Sequence, residues 1–239
     1  MSKPFETWKV LPHGKLTEIG DNVLTVVGTI HMPLGEFPRR MTVVRLHDGR
    51  LVIYSAIALD DDEMRALERY GQPAFLVVPG DHHRLDARIW KQRYPHMQVA
   101  APAGALGMVQ EVVPVDTVAP RFDDLDVQWI TVPGTREHEA ALLVRGRDGK
   151  TLVLNDIVAN IRHEHGFGGW LMRRMGFAGD EPAIPGVRKF AMIKDADALR
   201  EQLLDWSEIA DLRRILVSHG EPIVDNPRGV LRELAESLQ

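Results

Sequence analysis

The 239-residue chain contains no cysteine. This absence excludes disulfides, cysteine nucleophiles and thiolate metal ligands, so histidine, aspartate and glutamate are the strong metal ligands that remain. The chain also lacks an apolar run long enough to cross a bilayer and an apolar signal segment at its N-terminus. We therefore expect a cytoplasmic protein with no membrane partner.

A strong excess of either charge is missing as well. The formal net charge is −5 and the isoelectric point is about 6.1, so the basic footprint of a nucleic-acid-binding protein is absent. Hydrophobic residues make up 44% of the chain and charged residues 26%, as in ordinary globular proteins. We expect a small-molecule substrate and no nucleic acid, and the sequence leaves the oligomeric state open.

Two Asp-Gly dipeptides predict β-hairpins. Asp48-Gly49 separates the apolar runs 41–46 and 50–55, and Asp148-Gly149 separates 140–144 from 151–154. An Asp-Gly pair between two such runs is a strong signal for a tight hairpin turn. Short apolar runs predict further strands at 22–28, 75–78, 99–101, 127–132 and 215–217.

Helical spacing of apolar residues alternates with these strands. The predicted helices cover residues 61–70, 85–94, 102–112, 195–212 and 227–238. Gly71 closes the first helix, and Asn226 precedes Pro227 as the N-cap of the last. Hairpins followed by alternating strands and helices, twice over, predict an α/β protein whose two sheets pack face to face between helix layers.

Residues 160–192 follow a different pattern. Gly, Met, Arg and Pro are mixed there without a clear period, which predicts an irregular insertion with one short helix near 170–175. His163-Glu164-His165 has a second metal-like spacing, although the glycines that follow favour a mobile loop. Because no linker or strong repeat divides the chain, we predict a single domain over residues 1–239.

Polar residues that can bind a metal close three of the apolar runs. Asp81, His82 and His83 follow the run 75–78, Asp156 follows 151–154, and His219 follows 214–217 in the sequence Ser-His-Gly. A ligand at the end of a buried strand is held rigidly with open space beyond it. If the three strand ends lie side by side, they form a metal-binding site.

The order of these strand ends resembles the metallo-β-lactamase-fold hydrolases. In that fold a His-x-His-x-Asp-His motif follows a strand, an Asp ends a later hairpin strand, and a His before Gly ends the last strand. Asp156 and His219-Gly220 match the two later positions, and the resemblance covers roughly residues 20 to 225. It implies a four-layer αββα sandwich with a metal site at the sheet edges.

The leading motif departs from the family pattern. Residues 79–86 read Pro-Gly-Asp-His-His-Arg-Leu-Asp, so one register places Asp81 and His83 at ligand positions and another keeps only His82. Thr135 stands where the family has a further His, and the nearest His is His138. The chain is similar to a divergent, little-characterised branch in which the usual two-metal site is reduced or rebuilt.

The resemblance implies a metal-dependent hydrolase. His83, Asp156 and His219, with His138 or His82 as a fourth ligand, would hold one divalent ion, zinc in the first place and iron or manganese as alternatives. A metal-bound water would then attack an ester, thioester, lactone or phosphoester.

Two further roles and two alternatives follow from the same comparison. Asp81 and His82 are the candidate catalytic residues, and His31 is a candidate substrate-binding residue in an early loop that overhangs the site in the resembled fold. The broken leading motif supports a degenerate member without metal that acts as a binding module. An iron-dependent redox variant is the other alternative.

Overall fold

The computed structural model describes residues 3–32, 35–161, 179, 181–186 and 192–238. Ten strands within these residues form two sheets. The six-stranded sheet contains β1 (Thr17–Gly20), β2 (Val23–Met32), β3 (Gly35–Arg45), β4 (Arg50–Tyr54), β5 (Gln72–Val77) and β6 (Gln98–Ala100). The four-stranded sheet contains β7 (Val127–Thr131), β8 (Ala140–Gly146), β9 (Gly149–Leu154) and β10 (Leu212–Val217).

Strand direction decides which strand ends meet. The six-stranded sheet follows chain order from β1 to β6, with antiparallel hairpins up to β4 and parallel pairing of β4 with β5 and of β5 with β6. The other sheet has the order β10-β9-β8-β7, and β10 runs parallel to β9. Parallel neighbours end at the same edge, so each sheet presents carboxyl ends of adjacent strands together.

Five α-helices lie within the described residues: α1 (Asp61–Tyr70), α2 (Ala87–Arg93), α3 (Leu106–Gln110, preceded by a 3₁₀ turn at Ala103–Ala105), α4 (Ala196–Ser207) and α5 (Pro227–Glu236). The side chain of Asp60 caps α1 by accepting from the backbone N–H of Glu63, and Asn226 caps α5 in the same way through Gly229. In this part of the chain, no helix has the length and apolar character needed to span a bilayer.

Three apolar layers separate the elements. Tyr54 and Val77 of one sheet pack with Leu142 and Leu216 of the other, so the two sheets share a core. A second layer lies between the six-stranded sheet and α1, α2 and α3, and it contains Met64, Trp90 and Val109. A third lies between the four-stranded sheet and α4 and α5, with Leu203 and Leu231 among its members. The predicted αββα sandwich is confirmed.

The prediction that His31 lies in an early loop is wrong. β2 continues to Met32 and β3 begins at Gly35, with His31 and Glu36 as partners near the end of the pairing. The hairpin continues because Thr29 and Ile30 suit extended backbone and find partners across the ladder. His31 therefore stands on a strand near the tip of a long hairpin.

Two other boundaries differ from the sequence prediction. The short strand β1 was not predicted, and α4 ends at Ser207 although apolar spacing continues to Leu212. Leu212 instead begins β10 and is buried at 5% exposure, so strand pairing wins over helical periodicity there. The predicted insertion at 160–192 lies largely outside the described residues, as do His163, His165 and the helix predicted near 170–175.

A buried ion pair fastens the six-stranded sheet to the start of α2. Arg39 of β3 donates to the carboxylate of Asp86, and both residues are buried. The second carboxylate oxygen of Asp86 accepts from the backbone N–H of Ala58 at 3.0 Å. Burial raises the pKa of Asp86, and the charge and hydrogen bond of Arg39 counteract that rise. Arg39 thus balances a carboxylate that water does not reach.

Replacing Arg39 with Met tests this dependence. Arg39→Met leaves Asp86 buried without its cation, so we expect the free energy of unfolding in urea to fall by about 3–5 kcal/mol. The matched control is Arg65→Met, because Arg65 pairs with Asp62 on an exposed face of α1 and should cost at most about 1 kcal/mol. Equal losses in the two variants would contradict the special role of Arg39.

Candidate metal centre

Three side-chain atoms converge between the edges of the two sheets. His83 Nε2 lies 3.2 Å from Asp156 Oδ1, His219 Nε2 lies 3.0 Å from the same oxygen, and the two Nε2 atoms are 3.2 Å apart. The three side chains are between 2% and 10% exposed. This group is one of two in the described residues whose histidine and carboxylate atoms are close enough to share an ion.

Each of these residues follows the carboxyl end of a strand. His83 lies in the turn after β5, Asp156 follows β9, and His219 follows β10. Since β9 and β10 are parallel neighbours, their ends are adjacent, and the packing of the two sheets brings the end of β5 opposite them. The convergence predicted from the three strand ends is what the structure shows for His83, Asp156 and His219.

A backbone carbonyl fixes the protonation pattern of His219. Its Nδ1 lies 2.8 Å from the carbonyl oxygen of Pro38. A carbonyl oxygen only accepts, so Nδ1 carries the hydrogen, and in the neutral ring Nε2 presents its lone pair. That lone pair faces His83 and Asp156. Histidine ligands of metals are held in this way, by a hydrogen bond at the second ring nitrogen.

Ser55 contacts the ring of His83 at the nitrogen that does not face Asp156. Ser55 Oγ lies 2.7 Å from His83 Nδ1, so Nε2 is the nitrogen turned toward Asp156. Ser55 directly follows β4 and has a φ of 57°, a left-handed conformation that costs a non-glycine residue energy. The strained backbone thus lies at the residue whose hydroxyl contacts His83.

The turn that carries His219 is clamped on both sides. Arg40 of β3 donates from its guanidinium to the carbonyl of Gly220 at 2.7 Å, and its backbone N–H donates to the carbonyl of Ser218 at 2.8 Å. Gly220 has a φ of 103°, and a Cβ there would lie 2.0 Å from the carbonyl oxygen of Asn160. Only glycine fits this turn, which explains the Ser-His-Gly sequence.

The donor atoms fit a small divalent cation. A tetrahedral ion with bonds of about 2.1 Å separates its ligand atoms by about 3.4 Å. The three separations here are 3.0 to 3.2 Å, only a few tenths of an ångström shorter. Two imidazole nitrogens and one carboxylate oxygen are ligands that suit zinc, iron or manganese.

Two buried carboxyl groups lie in the region of the site. Glu139, which is fully buried, and Asp156 both lie near Tyr54. Burial raises the pKa of Tyr54 well above its ordinary value, and the negative charges of Glu139 and Asp156 raise it further. The Tyr54 hydroxyl therefore stays neutral and donates to the carbonyl of Ala140 at 2.7 Å. Two buried carboxylates in one region favour a bound cation.

Comparison with solved structures identifies the fold. FIM-1 from Pseudomonas aeruginosa, a metallo-β-lactamase in its mono-zinc form, aligns with a TM-score of 0.61 and 15% identity, over 96% of this chain and 97% of its own. DIM-1, a metallo-β-lactamase exposed to ceftazidime, aligns with a TM-score of 0.64 and 13% identity, over 97% of this chain and all of its own. The chain has the metallo-β-lactamase fold.

A third example and the sequence comparisons complete this result. A metallo-β-lactamase from Erythrobacter litoralis aligns with a TM-score of 0.63 and 12% identity, over 93% of this chain and 96% of its own. No protein-family model matches the sequence, and no curated protein matches it either. At such low identity the likeness establishes the metallo-β-lactamase fold, and the chemistry must be argued from the residues of this chain.

The other predicted site residues take different places in the metallo-β-lactamase fold. The predicted ligand His138 lies outside the three-atom group, and its Nδ1 lies 3.0 Å from a carboxylate oxygen of Asp81. His82 is exposed, whereas the neighbouring His83 turns inward. The side chain of His31 is 80% exposed and lies 3.7 Å from Glu36. The structure thus brings together three of the four predicted ligands.

The second group of close donors is His47, Asp124 and Asp126. His47 Nδ1 lies 3.0 Å from Asp124 and its Nε2 lies 3.3 Å from Asp126, so each ring nitrogen already faces a carboxylate. Burial alone would raise the pKa of Asp124, but hydrogen bonds from the backbones of His47 and Asp126 and from the His47 ring lower it overall. The His47 side chain is 75% exposed. These three residues form a surface cluster in which both ring nitrogens of His47 already contact carboxylates.

Several residues that support the site were not predicted from the sequence. Ser55 follows the end of a strand, which is the same signal that identified Asp156 and His219, yet the sequence predicted no role for it. Glu139 accepts hydrogen bonds from Asn155 and from the backbone of Asp156, although a glutamate in a polar stretch of sequence gives no signal of burial. The carbonyl of Pro38 carries no sequence signal at all.

The Gly220 turn gives a direct test of how rigidly the site is built. Gly220→Ala should lower the free energy of unfolding in urea by about 1–3 kcal/mol or more, because the methyl group meets Asn160 and the positive φ is strained. Gly107→Ala is the matched control, since a Cβ at that helical position meets nothing within 4 Å and should be neutral or slightly stabilising. A Gly220→Ala protein as stable as the control would contradict the tight turn.

Proposed function

We propose that this protein is a metal-dependent hydrolase in which His83, Asp156 and His219 hold one divalent ion. The observation that carries the proposal is the convergence of their three donor atoms within 3.2 Å of one another at buried strand ends. Two of the three are imidazole nitrogens whose other ring nitrogen is already bonded to the protein. Three protein ligands and one open position are the usual composition of a catalytic zinc site.

Zinc is the ion we propose first. Imidazole and carboxylate ligands suit zinc, and iron and manganese are the alternatives that the same donors would accept. FIM-1, which shares this fold, has been solved in a mono-zinc form, and that result supports one ion as a workable arrangement. His82 is exposed and His138 lies outside the group formed by the other three residues. The group thus has ligands for one ion.

The proposed substrate is a small molecule with an ester, thioester, lactone or phosphoester bond. A divalent ion would supply Lewis-acid polarisation of the carbonyl or phosphoryl oxygen and a water of lowered pKa. The chain itself would orient the ligands through Ser55 and the Pro38 carbonyl. We further propose that Asp81 orients the ring of His138 by accepting a hydrogen bond from its Nδ1.

Metal content of the purified protein tests the proposal. We expect close to one equivalent of zinc, iron or manganese in wild-type protein prepared without added metal or chelator. His219→Ala and Asp156→Ala should each lose most of that metal, because two ligands hold a divalent ion far more weakly than three. His47→Ala is the control, since it removes a histidine from the other group of close donors and should retain the metal.

Each pattern of metal content has a distinct meaning. Metal retained by His219→Ala but lost by His47→Ala would place the ion at the surface cluster of His47, Asp124 and Asp126 and contradict the proposed site. A wild-type protein that takes up no metal on reconstitution would contradict the hydrolase and favour a degenerate, metal-free binding module. Loss of metal from His219→Ala and Asp156→Ala, with metal retained by His47→Ala, would support the proposed site. It would justify a screen of ester, thioester, lactone and phosphoester substrates.

A further inference from the structure

Glu139 is a fully buried carboxylate next to the candidate metal centre. It lies between His138 and the first residue of β8, with 0% of its surface exposed. Its Oε2 accepts a hydrogen bond from Asn155 Nδ2 at 2.9 Å and another from the backbone N–H of Asp156 at 3.2 Å. A carboxylate is costly to remove from water, so its full burial needs compensating contacts of this kind.

The contacts of Glu139 join two turns that carry proposed ligands. Asn155 and Asp156 form the turn after β9, and both donate to the same oxygen of Glu139. The other oxygen faces the turn after β5, because a Cβ built at Gly80 would lie 2.8 Å from Glu139 Oε1. The same Cβ would lie 2.8 Å from Asn155 Nδ2. Glu139 therefore packs between the turn of Asp156 and the turn that leads to His83.

Glycine at position 80 is part of this arrangement. Any side chain there would enter the space that the Glu139 carboxylate and the Asn155 amide occupy. The backbone of the β5 turn can approach both groups closely only because Gly80 has no Cβ. The close approach sets the separation between the ends of β5 and β9, and with it the separation between His83 and Asp156.

We propose that Glu139 is a positioning residue that holds Asp156 in place for the ion and thereby sets the affinity of the site. The inference rests on the proposed function, because it assigns Glu139 to the same ion. Glu139 acts through Asp156 and is not itself a member of the three-atom group. Hydrogen-bonded partners of metal ligands commonly change metal affinity about 10- to 100-fold.

Metal affinity of three variants separates positioning from plain structural support. Glu139→Gln keeps an oxygen that can accept from Asn155 and Asp156 but removes the charge, so we expect zinc to bind about 10-fold more weakly. Glu139→Ala removes the acceptor as well and should weaken binding about 100-fold. Glu137→Gln is the matched control, because Glu137 is exposed two residues earlier in the same loop and should bind zinc like wild type.

Competition with a chromophoric chelator measures these zinc affinities on folded protein, and urea unfolding of the metal-free variants reports stability alongside. A purely structural role would lower the stability of Glu139→Gln and leave its zinc affinity within about threefold of wild type, which would overturn the inference. If Glu139→Ala does not fold, Glu139→Gln decides alone. A wild-type protein that binds none of zinc, iron and manganese overturns the proposed function itself, whereas zinc binding that is equal in wild type and Glu139→Gln overturns only the role of Glu139.

Discussion

Three electron-rich atoms held 3.0 to 3.2 Å apart in a buried site are the constraint on which the rest of the structure depends. The Pro38 carbonyl keeps the hydrogen of neutral His219 on Nδ1, so its Nε2 faces Asp156 with a lone pair. Such atoms repel one another unless a proton or a cation is shared among them. The surrounding residues can be understood as the structure that holds this group together against that repulsion.

The supporting structure comes from both sheets. β3 contributes most, because three consecutive residues of it contact the site or its surroundings. The carbonyl of Pro38 orients His219, and Arg40 binds the Gly220 turn. Arg39 pairs with Asp86, which lies three residues after His83 in the chain. These consecutive residues serve both sides of the site since successive side chains of a strand point to opposite faces. The strained backbone of Ser55 and the burial of the Asp86 carboxylate both lower the stability of the fold. The apolar cores of the αββα sandwich offset these losses.

Much of this could be predicted from the sequence, for physical reasons that particular residues illustrate. Asp-Gly turns, apolar runs and helical spacing reported the elements of the sandwich, because they reflect local backbone preference and burial. Asp156 and His219 could be placed because each follows a clear buried strand. His83 was preferred to His82 as a ligand, but two registers of the leading motif stayed open, since the direction of each ring depends on the turn and on the contact of His83 with Ser55.

The residues that escaped prediction are those whose role depends on distant parts of the chain. His31 was expected in a loop, but pairing across the hairpin extended β2 past it. Glu139 and Asn155 are brought together by the pairing of β8 with β9. A carbonyl such as that of Pro38 has no side-chain signature, so its contact with His219 becomes visible only in three dimensions.

The central claim is that one divalent ion binds between His83, Asp156 and His219. The most direct measurement is anomalous diffraction at the zinc absorption edge from crystals of zinc-loaded protein. We expect one strong anomalous peak, about 2.0 to 2.2 Å from each of the three donor atoms. A peak at His47 with Asp124 and Asp126, or density between the three residues without an anomalous signal, would contradict the claim.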